Sequence, residues 1–124
     1  MFELKIKNNF SAAHKLTMVG EKCENLHGHN WHIEARVTGE KLNPAGVLVD
    51  FGNIKKFVNE IMKELDHKYL NEIEIFNDEQ PTSERIAVYI AKRLQTFLDK
   101  LDEEVNVSSV TAWESEDASA TYFL

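Results

Sequence analysis

Several features that would indicate a secreted or membrane-bound protein are scarce or missing in this sequence. The 124 residues contain one cysteine, Cys23, so an internal disulfide is impossible and a cytoplasmic location with a free thiol is expected. The longest apolar runs are only a few residues, such as Val47–Val49, which excludes a membrane-spanning helix. The first residues lack a basic start followed by an apolar stretch, so no secretory signal is expected.

Positive charge is also in the minority. Lys and Arg number 14 against 21 Asp and Glu, a net charge of -7, and duplex binding depends on cations that neutralise phosphates, so no nucleic-acid partner is expected. No glycine-rich loop is present to cradle a phosphate group. The composition, 43% hydrophobic and 28% charged, is that of a globular protein, and the length suits a single domain over residues 1–124.

Alternation of apolar and polar residues predicts strands at both ends of the chain. Residues 2–14 and 27–38 alternate with a period of two, and an antiparallel pair of strands joined by a loop at 15–26 fits this pattern. Residues 105–114 and 118–124 predict two further strands, and Val47–Val49 predicts a short one.

Two amphipathic helices are predicted between these strands. The first begins at Asp50 and ends near Asp66, and the second follows Pro81 with Thr82 as its N-cap. Residues 68–79 read as irregular. The predicted class is α+β in the order ββααββ, with an antiparallel four-stranded sheet and both helices on one face.

Three histidines carry the strongest chemical signal. His27 and His29 are two residues apart in a strand, so both rings project to the same side, and Gly28 between them leaves the backbone open. His14 ends the preceding strand, and antiparallel pairing would bring it beside them. Three neutral imidazoles with one open position are typical of a catalytic zinc site. Without the third histidine, a simple polar patch would explain the pair equally well.

Four other ionisable residues allow two interpretations each. Cys23 is either a thiolate base or nucleophile, or a small buried side chain. Asp66 and His67 form either a proton relay or an ordinary pair at a helix end. Glu114 either binds donors on a planar heterocycle or faces solvent. The residue types alone favour the second interpretation in each case.

The order of the motifs resembles the family of 6-pyruvoyltetrahydropterin and 6-carboxytetrahydropterin synthases. The resemblance runs over essentially the whole chain and depends on the following segments, in this order: Phe10-Ser11-Ala12-Ala13-His14, Cys23-Glu24-Asn25-Leu26-His27-Gly28-His29-Asn30, Val49-Asp50-Phe51-Gly52, Leu65-Asp66-His67-Lys68-Tyr69-Leu70-Asn71, Pro81-Thr82-Ser83-Glu84 and Trp113-Glu114-Ser115.

The resemblance implies a fold, an assembly and a set of roles. The fold would be the tunnelling fold, in which protomers join their sheets into a barrel, and the protein would be a homohexamer of two stacked trimers with active sites between subunits. The implied roles are as follows: His14, His27 and His29 as zinc ligands, Cys23 as catalytic base, Asp66 with His67 as a proton relay, Glu114 as the anchor of the pterin ring, and Thr82 and Ser83 close to the same pocket.

The resemblance also implies the substrate, 7,8-dihydroneopterin triphosphate. The short spacing of Cys23 and His27 is similar to that of the 6-carboxytetrahydropterin synthases of the queuosine and deazapurine route, which release acetaldehyde and triphosphate. The pyruvoyl enzymes of the biopterin route carry a longer spacer. Glu24, directly after Cys23, resembles a branch that uses a glutamate near this position and makes 6-hydroxymethyl-dihydropterin for folate synthesis.

Two other classes of protein fit parts of the sequence. A cysteine hydrolase would use Cys23, His67 and Asp66, but it would leave the three other histidines without a purpose and lacks an evident oxyanion motif. A non-enzymatic zinc-binding module is the second class, but structural zinc sites usually have four protein ligands and are rich in cysteine.

Overall fold

A mixed sheet backed by two helices forms the described part of the chain. The computed structural model describes residues 1–17, 25–76 and 79–124. In chain order the elements are β1 (Phe2–His14), β2 (His27–Gly39), α1 (Phe51–Leu65), β3 (Lys68–Tyr69), short 3-10 helices at Leu70–Glu72 and Glu74–Phe76, α2 (Ser83–Leu98), β4 (Asn106–Ser115) and β5 (Ala118–Phe123). The predicted α+β class is confirmed.

The strands of this sheet lie in the order β3-β1-β2-β4-β5. All neighbours are antiparallel except β1 and β3, which are parallel. The β1–β2 pairing runs without a break from Phe2 opposite Gly39 to His14 opposite His27. The end of β1 and the start of β2 therefore lie side by side at one end of the sheet.

One face of the sheet is apolar because side chains alternate along each strand. Phe10 of β1 pairs with Trp31 of β2, and their rings stack with centroids 5.9 Å apart. Helix α1 packs against β1, and α2 packs against β4 and β5. Both helices share one buried core with the apolar side chains of the strands, as the sequence predicted.

Both helices begin where the sequence predicts. The Asp50 carboxylate caps α1 by accepting a hydrogen bond from the Gly52 amide at 2.8 Å, and the Thr82 hydroxyl caps α2 by accepting one from the Arg85 amide at 3.2 Å. The apolar residues that recur every three or four positions are buried: Ile54, Val58, Ile61 and Leu65 in α1, and Ile86, Ile90 and Leu94 in α2.

Two local predictions were wrong. Val47–Val49 is not a strand: Leu48 and Val49 are buried in the core without joining the sheet, so their apolar character reflects burial rather than pairing. Residues 68–79 are not wholly irregular, because Lys68–Tyr69 pairs with Ala12–Ala13 as β3 and two 3-10 helices follow. The sheet of the described residues thus has five strands rather than four. Among the helices described, none combines the length and the apolar character that crossing a bilayer requires.

Candidate metal and active site

Three histidine rings meet where β1 ends and β2 begins. His14 pairs directly with His27, and Ala12 pairs with His29, so the strand register places all three side chains on the helix-bearing face. The ring centroids lie 4.8 Å apart for His14 and His27, 5.1 Å for His14 and His29, and 4.5 Å for His27 and His29. The structure therefore brings together the three residues that the sequence predicts as ligands.

Backbone carbonyl groups orient two of the rings. His14 Nδ1 lies 3.0 Å from the carbonyl oxygen of Pro81, and His27 Nδ1 lies 2.6 Å from that of Asn25. A carbonyl oxygen can only accept, so each Nδ1 carries the proton and donates it. In a neutral ring the lone pair is then on Nε2, which is the arrangement that second-shell partners impose on histidines that bind metals.

A carboxylate oxygen lies within 4 Å of all three rings. Glu114 Oε1 is 3.0 Å from His14 Nε2, 3.8 Å from His27 Nε2 and 2.9 Å from His29 Nε2. His14 is only 1% exposed, whereas the Glu114 side chain is 31% exposed. The cluster is therefore buried on the side of His14 and accessible to solvent on the side of Glu114.

Burial favours the neutral form of His29. Desolvation lowers the pKa of His29, the neighbouring rings of His14 and His27 lower it further, and Glu114 opposes this shift. His29 Nε2 is buried and makes no hydrogen bond to any residue the structure describes, although Glu114 Oε1 is 2.9 Å away. A buried ring nitrogen without a hydrogen-bond partner costs free energy, and a cation bound to it would remove that cost.

The donor set fits a divalent metal ion. The candidate ligand atoms of His14, His27, His29 and Glu114 all lie within 4.8 Å of one another. Imidazole nitrogens with one carboxylate oxygen are ligands that zinc accepts readily. One dication would satisfy all four groups, whereas protonating three rings in contact would place three positive charges together.

The Asp66–His67 pair contacts β1 at Ser11. Asp66 Oδ2 is 2.8 Å from His67 Nδ1, and Asp66 Oδ1 accepts a hydrogen bond from the Ser11 amide at 2.8 Å. The Ser11 amide is the largest cause that lowers the pKa of Asp66; burial opposes the shift and His67 adds to it. His67 takes a left-handed backbone conformation, with φ of 56°, and is 83% exposed.

Within residues 1–17, 25–76 and 79–124, no hydrogen bond or ion pair joins Asp66 or His67 to the three histidines. The sequence correctly brings Asp66 and His67 into contact with each other. It does not reveal that the described residues contain no such link between the pair and the histidine cluster of the same chain.

The start of α2 lies beside the cluster. Pro81 accepts the hydrogen bond from His14, and Thr82 and Ser83 follow it directly. The Thr82 hydroxyl is engaged as the helix cap. Thr82 and Ser83 thus follow the residue whose carbonyl group binds His14, and their place beside the substrate pocket stays a prediction.

Cys23 and Glu24 lie outside the described residues. Their predicted roles as base and as possible branch determinant therefore stay predictions. Both precede His27 by only a few positions along the chain.

Sequence reasoning missed two parts of the site. It placed Glu114 at a pterin ring and not within contact of the histidines, although its parity with Ala112, which faces the helices, was a usable signal. It also missed the two backbone carbonyls that orient His14 and His27. Nothing in residue type could reveal these, because every residue has a carbonyl group.

The class of this protein follows from comparison with known families. Residues 3–123 match the family called 6-pyruvoyl tetrahydropterin synthase. The chain belongs to this family.

Particular relatives sharpen the comparison. The chain is 38% identical over 113 residues to a putative 6-carboxy-5,6,7,8-tetrahydropterin synthase of Archaeoglobus fulgidus, covering 90% of this chain and 87% of the relative. It is 36% identical over 109 residues to the dihydroneopterin monophosphate aldolase of Pyrococcus furiosus, covering 88% and 86%.

A solved structure confirms the fold. The 6-pyruvoyl tetrahydropterin synthase of Caenorhabditis elegans superposes with a TM-score of 0.85 at 26% identity, over 99% of this chain and 95% of that one. The tunnelling fold implied by the motif order is therefore correct.

Proposed function

We propose that this chain is a zinc-dependent 6-carboxy-5,6,7,8-tetrahydropterin synthase. It converts 7,8-dihydroneopterin triphosphate to 6-carboxytetrahydropterin, acetaldehyde and triphosphate. The observation that carries the proposal is the convergence of three imidazole Nε2 atoms beside a carboxylate in a member of this family. The name of the Archaeoglobus fulgidus relative supports the carboxy branch.

His14, His27 and His29 would hold the zinc ion. Bound there, zinc would supply Lewis-acid chemistry to hydroxyl groups on the substrate side chain. The chain's part is to keep the rings neutral and aimed, through burial of His29 and the carbonyl acceptors on His14 and His27. The exposed side of the cluster gives a substrate its access.

Proton transfer falls to Cys23, Asp66 and His67 in this proposal. The Cys23 thiolate would take a carbon-bound proton, and His67, held by Asp66, would move another. Because His67 is 83% exposed and its ion pair within the described residues is with Asp66 rather than with the histidine cluster, we propose that it serves the cluster of a neighbouring subunit. A homohexamer of stacked trimers would provide that neighbour.

The pterin ring would be recognised by Glu114, with Thr82 and Ser83 close by. A carboxylate can accept two hydrogen bonds from adjacent donors on a planar heterocycle. Glu114 is 31% exposed, so its second oxygen can reach an incoming ring.

The decisive experiment uses 7,8-dihydroneopterin triphosphate with zinc-loaded protein and identifies the products by mass spectrometry. We expect a carboxylated tetrahydropterin and acetaldehyde. Cys23→Ala should keep full zinc content and lose about two to four powers of ten in turnover, which is what a general base supplies. Unchanged turnover would remove Cys23 from the mechanism, and loss of zinc would make it a ligand.

A matched histidine pair controls for the metal site. His14→Ala should lose zinc, whereas His32→Ala should keep it, because His32 lies on the opposite face of β2, paired with Trp113. Equal zinc content in the two variants would contradict the proposed site.

A second candidate is an aldolase of the folate route that yields 6-hydroxymethyl-dihydropterin. The observations in its favour are Glu24 beside Cys23 and the similarity to the Pyrococcus furiosus aldolase. A hydroxymethyl dihydropterin as the product would favour this candidate. Glu24→Gln would then lower turnover, whereas under the carboxy assignment it should have little effect.

A further inference from the structure

Glu114 lies at an irregularity in β4. Trp113 pairs with Ser119 of β5 and Ser115 pairs with Ala118, so the register shifts across Glu114. The pairing of β4 with β2 ends at Trp113. Such irregularities re-aim a side chain next to functional sites. Here the freed residue sends its carboxylate to the three histidine rings.

The distances around Glu114 Oε1 match those between ligands of one metal ion. Zinc bonds of about 2.0–2.1 Å in a tetrahedron place any two ligand atoms about 3.3 Å apart. The distances from Oε1 to the Nε2 atoms of His14, His27 and His29 are 3.0, 3.8 and 2.9 Å. They bracket the tetrahedral value, so Oε1 lies where a fourth ligand would.

Hydrogen bonding accounts for only part of this position, because the 3.0 Å contact of His14 Nε2 with Glu114 Oε1 needs a proton that a neutral ring already carries on Nδ1. His14 Nδ1 and His27 Nδ1 already carry the protons that they donate to carbonyl groups, so their neutral rings present lone pairs to the carboxylate. His29 Nε2 is buried and makes no hydrogen bond to a described residue. Lone pairs that face an anionic oxygen repel it unless a cation lies between them.

We propose that Glu114 is a fourth, displaceable ligand of the metal ion when no substrate is bound. This inference rests on the metal site of the proposed function. Three neutral imidazoles leave a bound dication with its full charge, and the carboxylate would neutralise half of it. Because Glu114 is 31% exposed, it can leave the metal without unfolding the strand.

One consequence links ring recognition to metal access. The same carboxylate is the proposed acceptor for two adjacent donors on the pterin ring. That contact would use both of its oxygens, so Oε1 could not stay on the metal at the same time. A pterin ring that engages Glu114 would draw the carboxylate away from the three histidines and leave one coordination position for the substrate's hydroxyl groups. A metal ion held there would then be accessible only when a suitable heterocycle has bound.

The test compares wild type with Glu114→Gln and with a matched control, Glu116→Gln, an exposed glutamate two residues on. Zinc affinity is measured by competition with a chromophoric chelator, and coordination is followed by the visible spectrum of the cobalt-substituted protein. Loss of a ligand should weaken zinc binding in Glu114→Gln by roughly 10- to 100-fold and change the cobalt spectrum. Glu116→Gln should match the wild type in both.

Azide, a small monodentate anion, probes whether the position is open. Azide should bind cobalt at least about tenfold more tightly in Glu114→Gln than in wild type. A pterin without a side chain, added to wild type, should raise azide affinity in the same way. Circular dichroism confirms that each variant is folded.

The outcomes separate the two proposals. A wild-type protein that binds neither zinc nor cobalt would overturn the proposed metal site and this inference with it. Wild type that binds metal with the same affinity, cobalt spectrum and azide response as Glu114→Gln would overturn only the role of Glu114.

Discussion

A network of three side chains fastens the end of α1 to α2, and its removal gives a sharp test of the structure. Glu64 Oε1 accepts hydrogen bonds from Arg93 at 2.7 and 2.9 Å, and Glu64 Oε2 accepts one from the Tyr89 hydroxyl at 2.7 Å. Glu64 lies two residues before Asp66, so the network also fixes the helix end that carries the Asp66–His67 pair. We predict that Glu64→Gln destabilises the fold.

The size of the effect follows from geometry and exposure. A forked arginine–carboxylate pair with an added hydroxyl would be worth several kcal/mol if buried, because each hydrogen bond to a charged group contributes about 1.5–3 kcal/mol. The side chains of Glu64 and Arg93 are 27% and 37% exposed, and solvent screens the interaction. Glutamine also keeps part of the hydrogen bonding. We expect a loss of about 1–2 kcal/mol.

Glu60→Gln is the matched control on the same helix. Glu60 pairs with Lys63 at 3.3 Å, but both side chains are more than half exposed, so this change should cost less than about 0.5 kcal/mol. Urea unfolding followed by circular dichroism measures both variants at one protein concentration, since assembly would otherwise shift the midpoint. If Glu64→Gln costs no more than Glu60→Gln, the reasoning from this network is refuted.

Acidity provides an independent check on Glu64. Burial raises its pKa, but the hydrogen bonds from Arg93 and Tyr89 outweigh burial, and the net pKa lies below the ordinary value. At intermediate pH the unfolded chain then binds more protons than the folded one, so stability rises with pH. The advantage of wild type over Glu64→Gln should be complete above the unfolded pKa of about 4.3 and shrink as pH falls through the lower folded value.

Three further predictions concern the sheet, α2 and the turn after α1. Gly39→Ala should lower the free energy of unfolding, measured in urea, by about 1–3 kcal/mol, because the added Cβ would lie 2.6 Å from a leucine methyl carbon and 3.0 Å from a backbone carbonyl oxygen. The control, Gly28→Ala, meets nothing within 4 Å and should stay within about 0.5 kcal/mol of wild type. Equal costs for the two variants would contradict the packing. Thr82→Ala should lose about 1 kcal/mol with the helix cap, and Thr82→Ser should restore most of it in the same assay; no loss in the alanine variant would mean that the cap contributes nothing. The pKa of the Asp66 carboxyl, measured by carbon NMR, should lie below its ordinary value, because the carboxylate accepts a hydrogen bond from the Ser11 amide. Its stabilising effect is then present above the unfolded pKa of about 3.9 and is lost as pH falls through the lower folded pKa. An ordinary or raised pKa would exclude that hydrogen bond in solution.

Much of the fold was readable because its signals are local and periodic. The alternation in residues 2–14 and 27–38 predicts β1 and β2, and it also predicts that His14 meets His27 and His29 once the strands pair. The caps at Asp50 and Thr82 fix the starts of both helices.

The remainder depends on tertiary structure that no local pattern encodes. Three consecutive apolar residues at Val47–Val49 are compatible with a strand and with a buried segment that covers the core, and only the path of the chain decides between them. The two-residue strand β3 is too short to have a period and exists because β1 offers a free edge. The register shift between Trp113 and Ser115 of β4 lies in the pairing with β5, which the sequence does not display.

The direct pairing of His14 with His27 fixes the histidines by strand pairing alone. Both ends of the connection at residues 15–26 are fastened at the sheet, and Asn71 clamps its first residue, Lys15, through two hydrogen bonds to its backbone. The positions of the rings are thus set by strand pairing, independently of how long the connection is or what it contains. Cys23 and Glu24 belong to that connection, so a graft of the connection from a relative would test whether it selects the product, as the proposed function implies, while strand pairing keeps the histidines in place.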